Sequence, residues 1–137
     1  MSKAQEKLAF YQDYILQLLE QLNINYQNTR LERQQISQKD VISKEGFTFL
    51  EELELLTVNI RGYACQIETT GPIGNEQQAI ADLQRLSVFN NYVIIQLYSE
   101  SRSRYPQIQT YISTLDYLRL LVLEYLQIQQ NLRLISA

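Results

Sequence analysis

Histidine is absent from this chain of 137 residues. Without imidazole there is no ordinary Ser/His or Cys/His nucleophile pair, no histidine base titrating near neutrality, and no histidine-containing zinc or di-iron site. Carboxylates, lysines and tyrosines can still move protons, so the exclusion is broad but incomplete. Cysteine is almost as scarce. Cys65 stands alone, which excludes an internal disulfide and a thiolate zinc site and points to a reducing, intracellular compartment. Positive charge is not in excess either: the net charge is −3 and the pI near 5.0, so no global field draws nucleic acid or an anionic membrane to the molecule.

Long apolar runs are missing as well. The densest stretch, Leu120 to Leu123, is closed off by Arg119 and Glu124, far short of the ~20 apolar residues of a membrane span. The first residues, MSKAQEKLAFYQDY, carry Lys3, Glu6 and Lys7 and lack the unbroken apolar segment of a secretory signal. The expectation is a cytoplasmic protein with no membrane partner. No nucleotide loop, metal motif, recognition-helix or catalytic signature occurs, so no catalytic residue, cofactor or metal is assigned, and the chain is expected not to be an enzyme.

What the sequence does contain is helical periodicity. Leu8, Tyr11, Ile15, Leu18 and Leu22 fall three and four apart, and this first helix continues through YQNTRLERQQIS with a kink expected at LNIN, residues 22–25, where asparagines compete for backbone groups. SQKDVISKEGF, residues 37–47, reads as a connection. Leu50, Leu53, Leu56, Ile60, Ala64 and Ile67 mark a second helix that TTGPIGN, residues 69–75, ends. Asn75 begins a third, carrying Ala79, Ile80, Leu83, Leu86, Phe89, Val93 and Leu97 inward. Pro106 suits the first turn of a fourth, whose seam is Tyr111, Leu118, Leu121, Tyr125, Ile128, Leu132 and Ile135, with one polar interruption at Thr114.

Four helices with short connections predict a single all-α domain over residues 1–137, an antiparallel up-down four-helix bundle. The alternative is α+β, with strands near 57–67 and 87–98 where valine, isoleucine and tyrosine gather.

Two surfaces stand out. Val88, Tyr92 and Ile95 on the third helix, with Ile112, Leu120, Leu123 and Leu126 on the fourth, form apolar stripes beyond the inward seams. A second contiguous stripe on a soluble chain marks a self-association or partner surface, unless the core is simply wider than one stripe. The leading expectation is therefore a protein-interaction module, an oligomer or a small adaptor subunit. The second surface is basic. In an up-down bundle SESRSRYP, residues 99–106, neighbours the first connection, gathering Arg30, Arg33, Lys39, Lys44, Arg102 and Arg104 at one end. The arginines could grip phosphate while Tyr105 stacks on a base, making a subunit of a nucleic-acid complex the less favoured alternative. Four acids sit among these bases, and the competing reading is a solvated turn.

The remaining features have structural explanations. Glu51 and Glu54 in EELE lack the further ligands a metal site needs and read as a solvated face. Cys65 lies among GYACQIE, with only Arg61 as a nearby cation to lower its pKa, and reads as a small buried or half-buried side chain. Tyr11, Tyr63, Tyr111 and Tyr125 fall on inward faces. They either fill the core with hydroxyls at its boundary or line a pocket for an apolar small molecule.

Overall fold

A computed structural model describes residues 2–36, 47–87 and 104–136. Its helices are α1 (Lys3–Asn28), α2 (Arg30–Ile36), α3 (Phe49–Thr70), α4 (Glu76–Arg85) and α5 (Pro106–Ser136). The fold is all-α, and among the described residues there is no extended strand. Residues 57–67, considered above as a strand, lie wholly within α3, because the spacing of Leu56, Ile60, Ala64 and Ile67 places all four on one buried face. Most of the other candidate strand, 88–98, lies outside the described residues, as do Phe89, Val93 and Leu97 of the expected third helix.

Local chemistry sets the helix starts. At the head of α1, Ser2 accepts from the Gln5 backbone N–H while the Gln5 side chain accepts from that of Ser2. Thr48 and Glu51 form the same reciprocal box at the head of α3. Each box satisfies two of the donors a helix leaves open at its start. One of the two candidate glutamates of EELE is thereby a cap. Gly71 ends α3 at φ 80°, in the left-handed half of conformational space open to glycine, and its N–H donates to the Ile67 carbonyl at 2.8 Å. Glycine is thus required where the sequence placed the clearest boundary.

The expected kink at 22–25 does not form. α1 runs unbroken to Asn28 and yields to α2 only at Thr29. Asn25 stays helical because its side chain has partners other than its own backbone: it accepts from Gln21 and donates to Thr114 Oγ1 on α5, both at 2.8 Å. The polar interruption in the α5 seam meets this asparagine across the interface.

Helix α5 is the axis of the structure. Ile108, Tyr111, Ile112, Leu115, Leu118, Leu121, Val122, Tyr125 and Leu126 are all buried; at 100° per residue they sweep roughly half the helix circumference. α1, α2, α3 and α4 each pack against it, α1 most extensively. Cross-helix bonds give the directions. Asn25 meets Thr114 while Tyr14 meets Tyr117, with their hydroxyls 3.5 Å apart, so α1 and α5 are antiparallel. Thr57 meets Tyr111 and Ile73 meets Gln129, so α3 runs parallel to α5. Glu76 meets Gln129 while the Leu83 carbonyl meets Arg119, so α4 is antiparallel to α5. Among α1, α3, α4 and α5, directions therefore alternate along the chain. One seam position departs from expectation: Ile135, near the free end of α5, is 82% exposed.

Several helix ends are closed by side chains from other helices. Gln12 of α1 donates to the Ile67 and Glu68 carbonyls at the end of α3 (3.0 and 3.2 Å). Arg119 of α5 is buried and donates to the Leu83 carbonyl at the end of α4 (3.0 Å) while pairing with Asp116 at 2.9 Å. Gln129 grips the α3–α4 connection by both amide groups, accepting from Ile73 N–H at 3.0 Å and donating to its carbonyl at 2.6 Å. The same amide nitrogen donates to the buried carboxylate of Glu76, which also pairs with Arg133.

Replacing Gln129 by leucine strips partners from Ile73 and Glu76 together. Because half-buried polar groups are then left unpaired, stability measured by urea unfolding should fall by about 1–3 kcal/mol, with little loss of helical circular dichroism.

A titration prediction follows from Tyr63, whose hydroxyl donates to Asp82 Oδ2 at 2.6 Å. Burial, reinforced by that hydrogen bond, pushes the Tyr63 phenol from 10.0 up to about 12. The Tyr63 bond, then those from Gln78 and Arg85, holds Asp82 below its ordinary value. The tyrosine contribution is complete below pH 10 and lost as pH rises through about 12; the aspartate contribution is complete above the ordinary carboxylate range and lost on acidification. Tyr63→Phe should therefore be less stable than wild type at neutral pH, with the gap narrowing both above pH 10 and toward pH 3 in pH-resolved urea titrations.

Candidate functional site

The basic end is only partly within the described residues. Lys39, Lys44 and Arg102 lie outside them. Arg30 and Arg104 are exposed. Arg33 of α2 is turned back onto the end of α1: Nε donates to Thr29 Oγ1 at 2.9 Å, Nη1 to the Tyr26 hydroxyl at 3.0 Å, and the guanidinium lies 4.1 Å from the centre of the Tyr26 ring. Tyr105 corrects the expectation. It is 5% exposed and cannot offer a ring face to a base, because it packs into the core just before α5 begins.

A more consequential contact lies beside it. The two oxygens of Glu32, on α2, accept from the backbone N–H groups of Gln107 and Ile108 at 3.0 and 2.9 Å. These are open donors in the first turn of α5, where the helix dipole favours negative charge. The position a phosphate would take at this helix end is filled by the protein's own carboxylate.

The outer stripe is also redrawn. Ile112 and Leu126, expected on a partner surface, are buried, and Leu123 is partly buried against the core. The physical reason is the breadth of the α5 interface: a helix with neighbours on half its circumference buries two stripes. Leu120 is exposed. Val88, Tyr92 and Ile95 lie outside the described residues.

An exposed aromatic face does exist, on a different pair of helices. Phe10 and Tyr14, four residues apart on α1, stack with centroids 6.2 Å apart and planes 17° from parallel. Tyr117 of α5 meets Tyr14 edge-on at 6.1 Å, and Tyr11 lies tilted against Phe10 at 6.0 Å. Phe10 is 63% exposed, and Tyr117 is exposed as well. Hydrogen bonding with Tyr14, with some burial, raises the Tyr117 pKa above its ordinary value. Lys7 lies 5.9 Å from the Tyr11 ring centre at the border of this face. The signal in the sequence was the Phe10–Tyr14 spacing of four, displaced from the inward stripe of α1.

The last feature is a cleft of about 480 Å³ bounded by α1, α2, α3 and α5. Tyr26 shows why it is open. It continues the stripe Ile15, Leu19, Leu22 at helical spacing and so lies on the inward side of α1, yet it is 46% exposed. Its ring tilts against Tyr111 with centroids 5.7 Å apart. The Tyr111 hydroxyl shares a 2.8 Å hydrogen bond with Thr57, and burial raises the Tyr111 pKa. Arg33 and Arg61 line the same space. Of the four tyrosines expected inward, Tyr111 and Tyr125 are buried and Tyr11 and Tyr63 partly so; Tyr111 alone reaches this cleft. Cys65 is exposed, correcting the buried or half-buried reading. Among the described residues no group of three metal-ligating side chains is assembled, and no helix is long and apolar enough to cross a membrane.

Glu32→Ala should destabilise the protein by about 1–2 kcal/mol, the usual cost of an uncapped helix start. Glu32→Gln, which keeps an acceptor oxygen but loses the charge, should fall between that variant and wild type in thermal unfolding. Equal stability of all three would show that the α5 terminus needs no partner from α2.

The chain matches no protein-family model, no curated protein and no solved structure.

Proposed function

We propose that this protein acts by association: it is a helical interaction module that uses the aromatic face of α1 and α5 to join a second copy of itself within a larger assembly. The observation that carries the reading is the 63% exposure of Phe10 within a contiguous set of ring contacts that reaches Tyr14 and Tyr117. An isolated exposed apolar side chain needs no explanation, but an ordered aromatic surface is a different matter. Tyrosine and phenylalanine bring a large contact area with little side-chain freedom to lose, which is why aromatics are enriched where interfaces concentrate their energy. Leu120, exposed one turn beyond Tyr117, extends the apolar character of α5 on its outer side. The role is one of binding rather than catalysis, in the cytoplasm.

Burying a side chain such as Phe10 is worth about 1.5–3 kcal/mol, whereas a carboxylate there must be stripped of water without a partner. Phe10→Glu combined with Tyr117→Glu should therefore abolish self-association, seen by light scattering over a range of concentrations, while leaving helical circular dichroism intact. Leu115→Glu, at a fully buried position, should instead unfold the chain. A wild-type protein that stays monomeric up to millimolar concentration, or a double variant that associates as strongly as wild type, would overturn the proposal.

A further inference from the structure

The cleft between α1, α3 and α5 is independent of the aromatic face. About 480 Å³ falls within the range of small-molecule sites, which combine apolar walls with a few convergent polar groups. Leu22, Leu50 and Leu53 supply apolar wall, and the Tyr26 and Tyr111 rings add aromatic surface.

Its charge is unbalanced in an informative way. Arg33 donates hydrogen bonds to two hydroxyls, those of Thr29 and Tyr26. Arg61 forms no ion pair among the described residues. Its helical neighbours three and four residues away are Thr57, Val58, Ala64 and Cys65, none of them acidic, so α3 provides no carboxylate at pairing distance. Glu54, the acid on this wall, is two turns from Arg61, about 10 Å along the axis. Glu32, the acid nearest Arg33 in sequence, is committed to the start of α5. Two guanidinium groups thus border one tyrosine-lined space, with Glu54 the single acid among its lining residues and no ion pair to either arginine among the described residues.

We propose that this cleft binds a small planar aromatic carboxylate, its acid group held by Arg61 with Arg33 in support and its ring lodged against Tyr26, Tyr111 and the leucines. Guanidinium offers paired donors in the plane that a carboxylate accepts. The opening of the cleft at Tyr26, an inward-facing residue left half exposed, admits one or two fused rings.

The probe is 2-naphthoate, titrated into the full-length chain by isothermal calorimetry, with the neutral 2-naphthylmethanol as its uncharged counterpart. One molecule of naphthoate should bind per chain, and the alcohol should bind at least about tenfold more weakly, as expected for loss of a charge-assisted hydrogen bond. Arg61→Gln should weaken naphthoate binding by about tenfold and erase the preference for the acid. Arg61→Lys should retain part of it, and Tyr26→Ala should weaken both compounds alike. Circular dichroism on each variant separates lost binding from lost folding. Phe10→Glu should bind naphthoate normally, which distinguishes this site from the association surface. Failure to saturate, equal affinity for acid and alcohol, or an Arg61→Gln variant that binds naphthoate as wild type does would each overturn the assignment.

Discussion

The burial of α5 on roughly half of its circumference is the constraint from which the other packing follows. A helix with one apolar stripe needs one neighbour or a shared seam, whereas α5 presents Ile112, Leu115 and Leu126 as well as Leu118, Leu121 and Tyr125 to its surroundings. α1 covers one side of that arc, while α3 and α4 pack against the remainder. Because hydrophobic burial is non-directional, the arc alone does not set how each helix is aligned along α5. Alignment comes from the polar pairs embedded in the interfaces: Asn25 with Thr114, Thr57 with Tyr111, and Arg119 with the Leu83 carbonyl. A slide by one turn would break these bonds and leave buried polar atoms unpaired, and none of the described buried side-chain polar atoms is unpaired.

The same economy governs the helix ends. A helix leaves donors open at its start and acceptors open at its finish, and here several are closed from a distance. Glu32 serves α5, Gln12 serves α3, and Arg119 serves α4. Each bond couples the formation of one helix to the docking of another, a route to cooperative folding in a chain with few glycines and prolines to punctuate it. Charged groups are consumed in the process. Glu32 and Glu76, which a reading of composition counts as surface acids, are both structural, and Arg33 and Arg61 beside the cleft make no ion pair among the described residues.

Two kinds of surface survive this accounting. The Phe10, Tyr14 and Tyr117 face is aromatic and carries exposed rings, suited to a contact with another chain. The Tyr26–Tyr111 cleft is concave and cationic at its border, suited to a small anion with an apolar body. They share α1 and α5 but no lining residue, so occupation of one does not require the other.

The sequence by itself determined the all-α character, the inward stripes of α1 and α3, the stop at Gly71 and the start at Pro106, because helical periodicity, glycine conformation and the missing N–H of proline act within a few residues. The two capping boxes, Ser2 with Gln5 and Thr48 with Glu51, act over the same short range but emerged only with the structure. Only the tertiary structure decided what depends on separation in space. It showed that Asn25 continues α1 because Thr114 faces it, that Tyr105 is buried rather than offered to a base, and that Ile112 and Leu126 are core because α5 has neighbours on two sides. It also placed Tyr14 beside Tyr117 and Tyr26 beside Tyr111, pairs far apart in the sequence. Periodicity reports which face of a helix is apolar; how many neighbours that face meets, and which polar groups close the ends, is fixed only when the helices pack.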